Sequence, residues 1–169
     1  MEAQPSWHIV QAGPDGAADA LSILREVSQW LIDGGRPLWR VESFDLNTFR
    51  RAALEGELAL GYEGRTAVAS MLVQTRDALH WPNDPLGEAL YVHKIAVRRS
   101  AAGRNWSRRL LAWAQTKARV ARHAISAFDT ADRQELLSLY RRCGFYIVDD
   151  RPRILDHLRV YRLELPIAK

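Results

Sequence analysis

Residues 97–111, VRRSAAGRNWSRRLL, set five arginines (Arg98, Arg99, Arg104, Arg108 and Arg109) around the point where a helical pattern begins. A helix start carries unpaired backbone N–H groups and the positive end of the macrodipole, so acidic side chains are the ones normally favoured there. Arginines suit a bound anion instead. Phosphate oxygens accept from the N–H groups while the guanidinium groups neutralise the charge. The plainer account is a solvated basic face, and the residues by themselves leave both open.

The elements around this stretch alternate in period. WHIVQ at 7–11 reads as a strand and GPDG as a turn. In ADALSILREVSQWLIDGG the apolar residues Leu21, Ile23, Leu24, Val27, Trp30 and Leu31 recur at helical spacing until Gly34 and Gly35 end the run. DLNTFRRAALEG reads as a second short helix, with Asp45 or Asn47 as its cap. ELALGYE and TAVASMLVQ are strands joined across Glu63, Gly64 and Arg65 as a hairpin. EALYVHKIAV is a further strand, with Leu90, Val92, Lys94 and Ala96 expected on one side and Tyr91, His93, Ile95 and Val97 on the other. A helix over about 105–122, a strand at HAISAF, a helix over 133–142 and two closing strands, FYIVDD and LRVYRLEL, complete the order. Repeats, linkers and low-complexity stretches are absent, so residues 1–169 are expected to form one α/β domain.

Composition narrows the function. Hydrophobic residues at 47% and charged residues at 26% are ordinary globular values, and no apolar run reaches the roughly 20 residues that span a bilayer. The N-terminal MEAQPSWHIV lacks the basic patch and apolar stretch of a secretory signal, so a cytoplasmic location is expected and a membrane partner is not. Cys143 is the sole cysteine, which excludes an internal disulfide and a cysteine-rich zinc site; no metal is expected. Much of the net charge of +4 comes from residues 98–109 and from Arg141 and Arg142, which suits a small polyanion at least as well as nucleic acid. There is no G-x-S-x-G, H-E-x-x-H, Walker or G-x-G-x-x-G pattern, so hydrolase, metalloprotease and nucleotide-hydrolase readings fall away.

The order of elements, with IAVRRSAAGRNWSRRLL followed some thirty residues on by LYRRCGF, resembles the GNAT superfamily of acyl-CoA-dependent N-acyltransferases over nearly the whole chain. The resemblance implies a mixed, strongly twisted central sheet of about seven strands flanked by about four helices. In that family the central strand ends in a valine, here Val97, and enters a glycine-containing loop whose amides hold the pyrophosphate of coenzyme A. This chain departs from the loop pattern at Ala102, Asn105 and Ser107, and keeps one loop glycine, Gly103. Asn tolerates left-handed backbone and Ser is small, so the cradle is expected to be kept. Leu136, Tyr140, Gly144 and Phe145 match the family spacing L-x-x-x-Y-x-x-x-G-F.

The resemblance implies acetyl-CoA as co-substrate, bound by Ile95, Ala96, Val97, Arg98, Arg99, Gly103, Arg104, Asn105, Trp106, Ser107 and Arg108, and direct attack by a primary amine, a small molecule being favoured. Acyl transfer needs a neutral amine, a stabilised oxyanion and a proton for the departing thiolate. Tyr140 stands where the family places the acid, and a phenol with a pKa of about 10 matches an alkyl thiolate. His93 is the best proton acceptor on the central strand, and the amide near Ile95 would hold the oxyanion. Trp39, Trp81 and Tyr91 are expected at the acceptor, along with the loop from Leu79 to Pro85, where Asp84 suits a cationic amine. Each of these side chains also has an ordinary packing role open to it. A CoA-binding sensor without turnover, a basic module that binds nucleic acid or modifies tRNA, and a homodimer stay open beside the enzyme.

Overall fold

Hydrophobic periodicity, a capping carboxylate and a few left-handed residues account for most of the elements in the computed structural model, which describes residues 6–123 and 125–167. Ala124, at the front of the expected HAISAF strand, lies outside the described residues. The chain divides into two compact units. One holds the described residues up to Leu72 together with Lys94–Leu110, and the other holds Val73–His93 together with the described residues from Leu111 onward.

In the first unit β1 (Trp7–Gln11) pairs antiparallel with β2 (Leu58–Glu63), which pairs antiparallel with β3 (Thr66–Gln74), the residues of β3 up to Leu72 belonging to this unit. The turn between β2 and β3 uses Gly64 at φ 58°, as the hairpin requires. The helix α1 (Ala17–Asp33) buries Leu21, Ile23, Leu24, Val27 and Leu31 of the run that its spacing marks, while Trp30 of the same run is exposed. At α2 (Leu46–Leu54), Asp45 caps the start by accepting from the amides of Asn47 at 2.9 Å and Thr48 at 3.1 Å. These helices share a core with Leu58, Leu60, Leu72 and Phe49.

The strand β4 (Ala89–Val97) is divided between the units. Its alternation does not run through as the sequence suggests, because Lys94 takes φ 51°. A left-handed residue inside a strand interrupts the period-two alternation, so the two expected faces do not run the length of β4, and Ala89–Val92 are buried without alternating. In the second unit the front of β4 pairs parallel with β5 (Ile125–Ala131), and β5 pairs antiparallel with β8 (Leu158–Pro166). The strands β6 (Tyr146–Ile147) and β7 (Arg153–Leu155) each pair antiparallel with β8. The helix α3 (Trp106–Val120) runs from one unit into the other, and α4 (Gln134–Arg142) lies in the second.

The mixed α/β character and the four α-helices agree with the sequence reading, and the described residues hold eight strands rather than about seven. The additional strand is β7, a three-residue segment that turns back through Asp156 at φ 53°. Ala121, inside the helix expected over about 105–122, lies beyond the end of α3 and is exposed.

Candidate functional site

The connection from β4 to α3, in the first unit, is built from paired arginines. Arg98 donates through Nη1 to Glu26 Oε2 at 2.6 Å, through Nη2 to Ser22 Oγ at 3.0 Å and through Nε to the Ala67 carbonyl at 2.9 Å. The other oxygen of Glu26 accepts from the Arg99 amide at 2.9 Å. One carboxylate on α1 therefore fixes two successive loop residues. The Arg99 guanidinium lies 3.8 Å from the centre of the Trp30 ring, a cation–π contact. Arg104 pairs with Glu63 and donates to the Ser100 carbonyl at 3.0 Å. Arg109 sits 4.4 Å from the Trp7 ring centre and 5.3 Å from that of Trp106.

Four of the five arginines thus have protein partners, and Arg108 is exposed, without a hydrogen bond or ion pair among the described residues. What the loop presents beyond them is backbone. Gly103 takes φ 77° and Asn105 φ 61°, so two left-handed residues wind the chain into the start of α3, whose first turn has no acidic residue. Nothing lies within 4 Å of where a Cβ on Gly103 would project. The Asn105 carbonyl accepts from the Arg109 amide at 3.0 Å, while the amides ahead of it in the first turn have no carbonyl one turn back to meet. An open loop of this kind, leading into a helix start, can take a pyrophosphate on its main-chain N–H groups. The residues present fit the phosphate end of coenzyme A.

Trp106 contributes to this place through its backbone. Its ring is 2% exposed, its indole N–H donates to Glu63 Oε1 at 2.9 Å, and it stands edge-on to Trp7. The ring occupies the space over Gly61, where a Cβ would come within 2.3 Å of it. Ala96 is buried in the core of this unit; Ile95 and Val97 are half-buried. Trp39 belongs to the same unit, edge-on to Phe44, with the Lys94 ammonium 6.0 Å from its ring centre.

The second unit carries a pocket of about 240 Å³ whose walls include Arg76, Asp77, Trp81, Asp84, Leu86 and Tyr91. Two residues named from the sequence, Trp81 and Tyr91, meet here with ring centres 5.3 Å apart. The indole N–H of Trp81 donates to Glu164 Oε1 at 3.2 Å, and the Tyr91 hydroxyl donates to Asp84 Oδ2 at 2.6 Å. Burial, the bond to Asp84 and its charge push the Tyr91 hydroxyl far above its ordinary range, so it stays protonated. The loop under Trp81 is secured by Arg162 and Arg153, which donate to the His80 carbonyl at 3.0 and 3.2 Å. Arg162 is itself held by three hydrogen bonds to Asp149 at 2.7–2.9 Å.

His93 Nε2 lies 3.6 Å from Asp77 Oδ2, and its side chain is 16% exposed. Tyr140 is buried on α4 beside Leu137, and its carbonyl accepts from the amides of Cys143 and Phe145 as Gly144 turns the chain at φ 94°. Sequence reasoning missed Glu26, Glu63, Asp77 and Glu164, acidic residues that pair with residues far along the chain. Among the described residues no group of three or more metal-ligating side chains occurs, and no helix is long and apolar enough to cross a membrane.

No protein-family profile matches the chain. A relative in Bacillus subtilis (strain 168), the uncharacterised N-acetyltransferase YesJ, is 25% identical over 138 residues, which span 78% of this chain and 77% of that protein. Two solved structures superpose over almost the full length. An acetyltransferase of the GNAT family from Listeria monocytogenes 4b F2365 gives a TM-score of 0.74 at 19% identity, covering 94% of this chain and 95% of its own. The Salmonella typhimurium protein yncA, a putative acetyltransferase solved with its cofactor acetyl-CoA, gives 0.76 at 12% identity, covering 97% and 95%. The chain has the fold of these acetyltransferases.

Proposed function

We propose that this GNAT-superfamily chain is an acetyl-CoA-dependent N-acetyltransferase that moves an acetyl group onto a primary amine by direct attack. The observation that carries the reading is the β4–α3 connection, where left-handed Gly103 and Asn105 lead into a helix start that has no acid of its own. Its amides receive the pyrophosphate. Arg98, Arg99 and Arg104 shape the loop through Glu26, Trp30 and Glu63, and Arg108 supplies charge that no described residue pairs with. Ile95, Ala96 and Val97 run beside the rest of the molecule, with Trp106 and Ser107 contributing main-chain N–H groups.

Acetyl-CoA supplies a thioester whose acyl carbon accepts the amine. The Ile95 amide, next to the left-handed Lys94, donates to the carbonyl oxygen as negative charge develops on it. His93 takes the proton that the amine sheds, and the Tyr140 hydroxyl gives one to the departing thiolate. Trp81 and Tyr91, which line the second unit's pocket, contact the acceptor. The aromatic and acidic walls of the second unit's pocket support a small amine with an apolar body.

Isothermal titration with acetyl-CoA, with ADP as the control anion and at two salt concentrations, tests the reading. Saturable binding well above that of ADP is expected. Binding shared equally with ADP and lost at high salt would turn the arginine loop into a generic basic surface and defeat the reading.

A further inference from the structure

Among the described residues, Asp77 is the one carboxylate of the second unit that is clamped at one oxygen and left buried without a hydrogen-bond partner at the other. Its Oδ1 accepts from the amides of Leu79 at 3.1 Å and His80 at 3.0 Å. That turn is held in place, since the His80 carbonyl takes donors from Arg153 and Arg162. The carboxylate therefore has little freedom to swing. Its Oδ2 is buried and has no hydrogen-bond partner among the described residues. A buried carboxylate oxygen stripped of water is stable only beside an N–H group or a cation. The ring nitrogen set to meet that need is His93 Nε2, at 3.6 Å.

From this geometry we infer that Asp77 is the positioning residue for His93: Oδ2 holds the proton on Nε2, so that Nδ1 carries the lone pair. The inference rests on the acetyltransferase reading, in which His93 takes the amine proton. The separation is slightly beyond hydrogen-bond length, and bonds of this type tighten as a reacting complex forms. A carboxylate behind an imidazole acts in two ways. It selects the tautomer of the neutral ring, and it stabilises the imidazolium that exists once the proton has moved. No covalent change occurs at Asp77; the proton travels from the amine nitrogen to His93 Nδ1 and then to solvent.

The same residue forms part of the wall of the 240 Å³ pocket with Trp81, Asp84, Leu86 and Tyr91. Asp84 is already engaged by the Tyr91 hydroxyl, and Arg76 is the one cationic side chain among the described residues of the lining. Asp77 thus joins the pocket to the histidine, a connection that places the basic nitrogen's orientation under the control of the acceptor loop.

The test is nitrogen-edited NMR of the full chain labelled in its histidine rings, at a pH where imidazole is neutral, with the His93 signals assigned by their loss in His93→Gln. Wild type is expected to carry the proton on Nε2. In Asp77→Asn the amide oxygen still accepts from Leu79 and His80, and the new NH2 group faces Nε2 as a donor, so the His93 signals should shift to those of the Nδ1–H tautomer. A wild-type ring protonated on Nδ1, or a tautomer indifferent to Asp77→Asn, overturns the pairing. Acetyl-CoA titration of the same samples separates the two levels. Binding with the wrong tautomer defeats the pairing alone, and absence of binding defeats the acetyltransferase reading together with the role inferred for Asp77.

Discussion

Glu63 Oε1 accepts from the indole N–H of Trp106 at 2.9 Å, which ties the last residue of β2 to the first residue of α3. The second oxygen of Glu63 pairs with Arg104, so a single carboxylate fixes a buried ring and a loop guanidinium on either side of Asn105. Glu63→Ala leaves the buried indole N–H without an acceptor, a loss of about 1–3 kcal/mol. In a chain of this size that lowers the melting temperature by roughly 2–4 °C per kcal/mol. Glu63→Gln still accepts from the indole and should recover most of the loss. Equal melting temperatures for the two variants would show that the ion pair, rather than the indole bond, is what matters.

Gly61 is required by volume. A Cβ there would lie 2.3 Å from Trp106 Cζ3 and 2.8 Å from Cε3, inside the contact distance of carbon atoms, and the ring is too enclosed to move aside. Gly61→Ala should destabilise the chain by about 1–3 kcal/mol through overpacking. Denaturant unfolding of Gly61→Ala, Trp106→Leu and the double variant checks this. The double variant is expected to lose less than the sum of the singles, and simple additivity would place the clash elsewhere.

The helices and the hairpin were legible because their signals are local: the apolar stripe of α1, the cap at Asp45, and Gly64 between two strands. Asn105 was legible too, as a residue that tolerates the left-handed conformation in which it is found. The partners of the arginines were not. Arg98 meets a carboxylate 72 positions away and Arg104 meets one 41 positions away, and no spacing rule links residues that the fold alone brings together. The break at Lys94 carries no glycine or proline to announce it. Asp77 reads as an ordinary turn residue in DALH, since its burial and the approach of His93 depend on packing.

Asp149 should control an acid limb of stability. Burial alone would raise its carboxyl, but the hydrogen bonds and charge of Arg162 outweigh that and hold it below the ordinary 3.8. A carboxyl depressed in the folded state stabilises above its unfolded value, and the stabilisation is lost as pH falls through the folded value. Asp149→Asn should therefore lose about 1.5–3 kcal/mol at neutral pH and approach wild type as the pH falls through the lowered folded value. Unfolding curves collected across that range measure it. A deficit that stays constant with pH would assign the loss to packing.

Tyr140→Phe separates a proton donor from a packed ring. The ring is buried on α4, and phenylalanine fills the same space, so acetyl-CoA affinity should be unchanged. If the hydroxyl protonates the thiolate, kcat falls by roughly 10²–10⁴-fold while the KM for acetyl-CoA moves little. Steady-state kinetics with a primary amine that the wild type acetylates is the measurement. An unchanged kcat removes Tyr140 from the chemistry.

At Gly103 the backbone, not the space, is limiting. The residue sits at φ 77°, which glycine alone adopts without penalty, yet no atom lies within 4 Å of where a Cβ would project. Gly103→Ala should cost about 1 kcal/mol of stability from the left-handed conformation. Gly103→Val, branched at Cβ, is worse placed, because a β-branched residue at positive φ is a genuine outlier and will pull the loop toward a different path. The helix start is then no longer presented in the same way, and a side chain stands in the open space that a phosphate would enter. Calorimetric titration should show acetyl-CoA affinity reduced in Gly103→Ala and lost in Gly103→Val, with both proteins folded by circular dichroism. Full affinity in a folded Gly103→Val would move the pyrophosphate away from this loop.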